Sequence, residues 1–572
     1  MDNRTIAQIF TQIADLLEIK GENAFKIRAY RSAADILTSW PDSVVTLDDR
    51  QLRELPGIGK DLATKIRELG DTGSCRYHQE LLQQFPSTIL DLLRLQGVGP
   101  KTVALLYGTL NIRTIDELAA AARDGRLRDV QGMGARKEAL ILKAIAEREK
   151  DEGRHLLADT AAVAEEMVAY LRERAPAVEL ILVGSLRRGC DTCGDIDILA
   201  VGGDTALMDA FAEAPRVERI LGHGDTKSSV RLRGGYQADL RLVPTESRGA
   251  AMQYFTGSKA HNIVIRDRAV QRGLKLNEYG LFRVEDDHRI AGDTETGIYE
   301  ALGLAAVEPE LRENRGEVDA AERRALPRLL TLADLRGDLH MHTTATDGRD
   351  SIEAMAAASH RLGHEYIAIT DHSKALAMAN GLDEHRAIEH AARVRSFNGR
   401  FDGLTLLAGV ECDILADGTL DLADDCLAQL DFVVASVHSH FMQEEAQMTD
   451  RVLRAMESRW VDAIGHPTGR LLLKRDAYRI DMDAVTRAAA AHGVALEINC
   501  QVDRLDLNDV HARMARDRGV RLVVSTDAHA VNALPTLRWG VTMARRAWAT
   551  ADDVLNTRGL ADLRRLLRRS RG

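Results

Sequence analysis

A chain of several domains is predicted: all-helical at its amino end, mixed α+β in its middle, and a distorted parallel (β/α)7 barrel at its carboxyl end. Three observations predict this. Residues 1–150 repeat apolar positions at helical spacing around three glycine-bearing turns. From about residue 179 the texture changes to short strands, and beyond residue 335 strands and helices alternate regularly. At 572 residues the chain exceeds what one core holds. The expected division is 1–80 and 81–150 (helical), 151–247 and 248–315 (mixed), a charged linker over 316–335, and the barrel over 336–572.

Ile6, Ile9, Ile13, Leu16 and Leu17 recur at threes and fours, which is the period of a helix with one buried face. Three turns then share one frame, apolar-x-Gly-apolar-Gly. They carry Gly57 and Gly59, Gly97 and Gly99, and Gly132 and Gly134. A turn of this kind opening a helix lets a phosphate approach the backbone, where the unpaired first N–H groups and the helix dipole favour it. Such contacts read the nucleic-acid backbone rather than the bases. The alternative for any single copy is a helical hairpin whose glycines serve close packing; three copies favour DNA.

The middle of the chain reads as strands at 180–183, 196–201, 229–233 and 238–243, with a helix near 260–272. Asp195 and Asp197, two apart on a strand, share one face, and Asp239 lies on a later strand. Carboxylates grouped in this way repel unless cations lie between them, and hard oxygen ligands suit Mg²⁺ or Mn²⁺. Two such ions can stabilise both the attacking and the leaving oxygen of a phosphoryl transfer. Ser185 and Arg188 precede them on a glycine-bounded turn suited to a triphosphate, and Gly194 adjoins the first aspartate.

After the charged stretch 308–335, seven strands are expected, each ending in a metal-competent residue. They lead into His340 and His342, Asp371 and His372, Glu411, His438, His466, Glu497 and Asn499, and Asp527 and His529. Alternating strands and helices imply a parallel sheet with its chemistry at the carboxyl ends of the strands. Imidazoles mixed with carboxylates suit Zn²⁺, Mn²⁺ or Fe²⁺.

The Gly-Ser-Leu-Arg-Arg-Gly run at 184–189, spaced before Asp195 and Asp197, resembles the nucleotidyltransferase palm of the family X DNA polymerases. Tyr254-Phe255-Thr256-Gly257 resembles the thumb segment of the same family. The resemblance implies that Tyr254 and Phe255 line the sugar pocket, that Gly257 belongs to the same segment, that Asn262 reaches the base edge, and that Arg266 reaches the template. Lys259 departs from it, since the animal polymerase beta has an acidic residue there. The glycine turns resemble helix-hairpin-helix motifs. The first 80 residues resemble a 5′-deoxyribose phosphate lyase domain, with Lys65 as the Schiff-base lysine and Lys26 and Tyr30 in a 5′-phosphate pocket. Asp61 stands where that pocket has a lysine, beside Lys60.

The histidine-rich region resembles the polymerase and histidinol phosphatase (PHP) domain, which implies three divalent metals, Mn²⁺ or Zn²⁺. One would take His340, His342, Glu411 and Asp527; a second Glu411, His438 and His466; a third Asp347, His372 and His529. His440 stays unassigned. The whole resembles bacterial family X polymerases with a PHP domain. This implies gap filling on gapped or nicked DNA with deoxynucleoside triphosphates, and metal-dependent 3′–5′ exonuclease or abasic-site hydrolysis. The alternatives are a phosphoesterase acting on a small phosphate ester, or a DNA-binding scaffold without catalysis.

Composition limits these readings. The net charge is −11, with +1 over 1–150, −8 over 151–318 and −4 over 319–572, so DNA must be gripped by local clusters and backbone amides. No run of eighteen apolar residues occurs and the start lacks a secretion signal, so a cytoplasmic chain with no membrane contact is expected, working as a monomer. Six scattered cysteines suit a reducing compartment, and Cys190 and Cys193 form a CxxC without a second pair to complete a zinc site.

Overall fold

The computed structural model describes residues 3–39, 44–55, 57–86, 88–93, 95, 98–130, 132–135, 137–142, 145 and 153–567. The chain divides into two compact units, residues 1–152 and 153–572.

The first unit is helical. Helix Asn3–Lys20 buries Ile6, Phe10, Ile13, Leu16 and Leu17, as the periodicity requires, against helix Ala24–Ser39. Gly59 caps helix Lys60–Thr72, and Gly99 caps helix Pro100–Leu110, where Pro100 needs no N–H partner. Each turn drives its middle apolar residue (Ile58, Val98, Met133) into the core.

In the second unit a five-stranded sheet carries the palm. Its strands are β1 (Glu179–Leu182), β2 (Asp195–Val201), β3 (Val217–His223), β4 (Lys227–Leu232) and β5 (Gln237–Val243), in the order β1-β2-β5-β4-β3. Only β2 and β5 run parallel. Helices Arg248–Thr256 and Lys259–Gln271 follow, with a three-stranded ribbon of 274–277, 280–283 and 289–291.

The stretch expected to be a linker is packed. Helix Glu317–Glu322 lies within it, and Val318, Ala320, Ala321, Leu329 and Leu330 are buried. Its charges concealed this because one of them, Glu317, is itself buried against His261 Nδ1 at 2.7 Å.

Seven parallel strands then follow in sequence order: β6 (Gly337–Asp338), β7 (Tyr366–Ile369), β8 (Thr405–Asp413), β9 (Phe432–Ser436), β10 (Ala463–Ile464), β11 (Ala495–Asn499) and β12 (Leu522–Ser525). Asp338 accepts from the Thr526 amide at 3.1 Å, and His342 N donates to Ala528 O at 2.8 Å, which draws the first and last strands together. Below the carboxyl ends the interior is apolar (Leu339, Ala368, Leu407, Val434, Val523), and Leu563 of helix Leu560–Leu566 joins that core. Among the described residues no helix is long and apolar enough to cross a membrane.

Candidate functional sites

The palm site is built by register. Strand pairing sets Asp197 directly beside Asp239, while Asp195 stands on the same face two residues back. Burial, then the charges of Asp195 and Asp239, pushes Asp197 up to about 7. Burial and Asp239 raise Asp195 as well. Arg154 and Arg188 oppose the rise at Asp195, and Arg241 and Arg188 oppose it at Asp197, while Lys227 Nζ lies 3.4 Å from Asp239. Three carboxylates on one face of the sheet are hard oxygen ligands of the kind that suits divalent ions. Gly184 has φ +66, and a Cβ there would strike the Asp197 carboxylate, so the turn requires glycine on both counts.

Beside the aspartates lies a cleft of about 500 Å³. Ser185, Arg188, Tyr254, Phe255, Gly257, Asn262 and Arg266 all line it, together with Asp195 and Asp197. Lys259 lines it too, although it departs from the family pattern. Gly194 is not on the wall; it precedes Asp195 and lies near Arg154, which holds Thr192. Arg188 donates from Nε to Glu313 at 3.0 Å and from Nη1 to Thr256 O at 2.6 Å. Asn262 donates to Tyr254 O at 2.7 Å and accepts from Gln253 at 2.8 Å, so it is tied to the segment that carries the two aromatic rings.

In the barrel, Glu411 is the hub. Its Oε2 lies 3.3 Å from His340, 3.5 Å from His342 and 3.0 Å from His372. Its Oε1 lies 3.2 Å from His438 and 2.9 Å from His466. Asp527 reaches His342 Nε2 at 3.1 Å, and Asp347 stands 3.3 Å from both His372 and His529. All nine expected ligands therefore meet at one end of the barrel.

The grouping differs in detail from the expected one. His342 sits with Asp347, His372 and His529 as well as with His340, Glu411 and Asp527, and His372 joins Glu411 and His438. His440 is exposed and joins none of these groups. Glu411 and Asp527 are held well below the carboxylate range: burial opposes this, but the surrounding imidazoles outweigh it. Burial and two neighbouring imidazoles press His342 down to about 4. Among the described residues, buried nitrogens of His340, His342, His372 and His466 lack hydrogen-bond partners. Orphaned donors in such a place are costly, so the donor set fits divalent cations.

Sequence reading left two supporting carboxylates unassigned. Glu497 accepts from His340 Nδ1 at 2.7 Å and from the His466 amide at 2.7 Å; Asp413 lies 3.2 Å from His438 Nδ1. A carboxylate behind a ligating histidine fixes its ring and tautomer. Position at a strand end was the available signal for Glu497, and for Asp413 the signal was its place two residues after Glu411, on the same face of the strand that it ends.

In the helical unit, an added Cβ at Gly59, Gly99, Gly132 or Gly134 would meet nothing, and all four are exposed. These glycines therefore do not serve internal packing. Gly57 and Gly132 also hold positive φ, at +72 and +80. Gly97 lies outside the described residues. Lys65 sits beneath the rings of Tyr30 and Tyr77, at 5.9 and 5.1 Å, and its Nζ contacts Asp61 at 2.6 Å. Lys26 donates to Tyr77 OH at 2.7 Å, which adds Tyr77 to the expected pocket.

The chain matches a helix-hairpin-helix domain over residues 1–75 and a SAM-like helix-hairpin-helix tandem over 89–147. It matches the DNA polymerase beta palm over 156–220, the DNA polymerase beta thumb over 251–313 and the PHP domain over 338–501. It is 37% identical over 573 residues to a DNA polymerase/3′-5′ exonuclease PolX of Bacillus subtilis (strain 168), covering 100% of both chains. A probable phosphatase of Shewanella sp. (strain MR-4) is 31% identical over 242 residues, which is 41% of this chain and 91% of that protein.

Proposed function

The chain belongs to the family X DNA polymerases that carry a carboxyl-terminal PHP domain, and from that premise we propose how its two sites divide the work. It is a DNA polymerase that fills short gaps by nucleotidyl transfer, and its barrel is a 3′–5′ exonuclease that also hydrolyses abasic sites in base excision repair. The observation that carries this reading is the presence in one chain of an aspartate cluster and of a cluster of histidines with carboxylates. One opens onto a nucleotide-sized cleft; the other lies at the mouth of a barrel.

In the palm, Asp195, Asp197 and Asp239 would hold two Mg²⁺ or Mn²⁺ ions. Ser185 and Arg188 bind the triphosphate, Tyr254 and Phe255 pack against the sugar, and Asn262 and Arg266 meet base and template. In the barrel the nine ligands, grouped around Glu411, Asp527 and Asp347, would hold Mn²⁺ or Zn²⁺, and the oxygen ligand Asp347 tilts the choice towards Mn²⁺. When bound, the divalent ions neutralise phosphate charge and make a water molecule nucleophilic at neutral pH. Glu497 and Asp413 hold the imidazoles in place. The open glycine turns grip gapped or nicked DNA through its phosphates, which a chain of net negative charge requires. Lys65 supports 5′-deoxyribose phosphate lyase chemistry once its contact with Asp61 is broken.

A test uses a duplex with a one-nucleotide gap, a labelled primer and Mn²⁺, with and without deoxynucleotides. Extension with them and shortening without them is the expected result. Shortening alone leaves only the phosphoesterase, the reading that the likeness to probable phosphatases favours; neither activity leaves the scaffold.

A further inference from the structure

The turn that carries Arg188 is not supported by the palm alone. Helix Leu537–Arg546 of the barrel lies against it. Gly189, at φ +64, comes so near this helix that a Cβ would strike Thr542. At the helix end, Arg546 is 7% exposed at its side chain and donates to three acceptors from different elements. Its Nη1 reaches Arg188 O at 2.8 Å and Glu313 Oε1 at 3.0 Å, and its Nη2 reaches Asp509 at 2.7 Å. Arg315 meets the same Asp509 oxygen at 2.9 Å. The Glu313 oxygen that Arg546 holds is the one that accepts from Arg188 Nε. Charges thus alternate along Arg188, Glu313, Arg546, Asp509 and Arg315, from the nucleotide cleft into the barrel and back to the segment that carries Glu313.

We propose that Arg546 is a positioning residue for nucleotidyl transfer: the barrel domain, through this side chain, holds the nucleotide-binding turn and shares the charge of Glu313. The proposal rests on the reading that Arg188 binds the triphosphate. Without Arg546, Glu313 keeps Arg188 as its principal cation and competes with phosphate for it, while the carbonyl of Arg188 loses a charged donor. Both effects weaken nucleotide binding before chemistry. Neither touches Glu411 or its histidines, so the barrel's hydrolysis reports on folding in the same preparation.

The experiment is steady-state filling of a one-nucleotide gap by the full chain and by Arg188→Ala, Arg546→Ala, Arg546→Lys and the Arg188→Ala/Arg546→Ala double variant. Arg546→Ala is expected to raise KM for the deoxynucleotide at least about tenfold, the worth of a charged hydrogen bond, with kcat within about twofold. The double variant should be no worse than Arg188→Ala, because Arg546 acts through Arg188. Arg546→Lys keeps the charge but does not span three acceptors, so its KM should fall between. An unchanged KM in Arg546→Ala overturns the proposal, as do effects that multiply in the double variant. Should Arg546→Ala lose hydrolysis and so fail to fold, Arg546→Lys decides: an unchanged KM there refutes it. If Arg188→Ala alone leaves KM unaltered, the assignment of Arg188 fails instead.

Discussion

Replacing Glu497 by Ala removes one carboxylate from behind the barrel site and strips two donors of their acceptor, His340 Nδ1 at 2.7 Å and the His466 amide at 2.7 Å, while Asn499 Nδ2 loses a 3.2 Å contact but keeps Asp527 at 2.9 Å. Glu497 is 1% exposed, so neither of the two finds bulk water. Each orphaned donor costs about 1–3 kcal/mol, which places the loss of local stability at several kcal/mol. The functional effect is narrower. His340 loses the group that orients its ring and fixes the proton on Nδ1, and His466 loses the anchor of its backbone. Loss of such a partner lowers metal affinity or activity by about 10–100-fold. The assay is shortening of a labelled 3′ end without deoxynucleotides, followed across a Mn²⁺ titration. The half-saturating Mn²⁺ concentration should rise by that factor, with Glu497→Gln intermediate because one amide oxygen still accepts. Gap filling, which depends on the palm aspartates, should change by less than about twofold. An unaltered Mn²⁺ requirement in Glu497→Ala would show that this carboxylate does not position the ligands.

Asp197→Ala should abolish nucleotide addition and keep hydrolysis, and His342→Ala should do the reverse; loss of both activities in either variant would contradict separate sites. Gly184→Ala drives a methyl into the Asp197 carboxylate and forces φ +66 on alanine, so gap filling should fall about 100-fold, as for a misplaced catalytic group, with hydrolysis as the control. Asp61→Ala frees Lys65 Nζ from its 2.6 Å contact; borohydride trapping of a Schiff base with an abasic 5′ end should increase, and Lys65→Ala should eliminate it. Glu295 is drawn down to about 2: its burial opposes this, but Arg187 and Arg312 outweigh it. A depressed carboxyl stabilises above its unfolded value near 4.5 and loses that contribution as pH falls towards 2. The stability difference between the native chain and Glu295→Gln should therefore be on the order of 3 kcal/mol at pH 7. It should shrink by pH 3 in chemical denaturation, and a gap that does not change with pH would show that the two arginines do not hold Glu295.

Much of the molecule was legible without coordinates because its signals are local. The spacing of Ile6, Ile13 and Leu17 is a property of one helix, and Gly59 and Gly99 act within one turn. The ligands of the barrel follow strands that reveal themselves one at a time. Even the palm pair Asp195 and Asp197 needs only the pleat of a single strand. Tertiary structure decided what depends on segments remote in sequence. Parallel pairing of β2 with β5 puts Asp239 beside Asp197, and a shift of one residue would turn it away. Closure of the barrel brings Glu497 behind His340, 157 positions earlier. The charged stretch 316–335 reads as a linker with some helix, and that it packs was not legible, because burial of Glu317 depends on a histidine that its own sequence does not reveal. Arg546 reaches the carbonyl of Arg188 across 358 positions. Periodicity records which face of an element is buried; which element it meets is settled only when register and packing bring distant charges within a few ångströms.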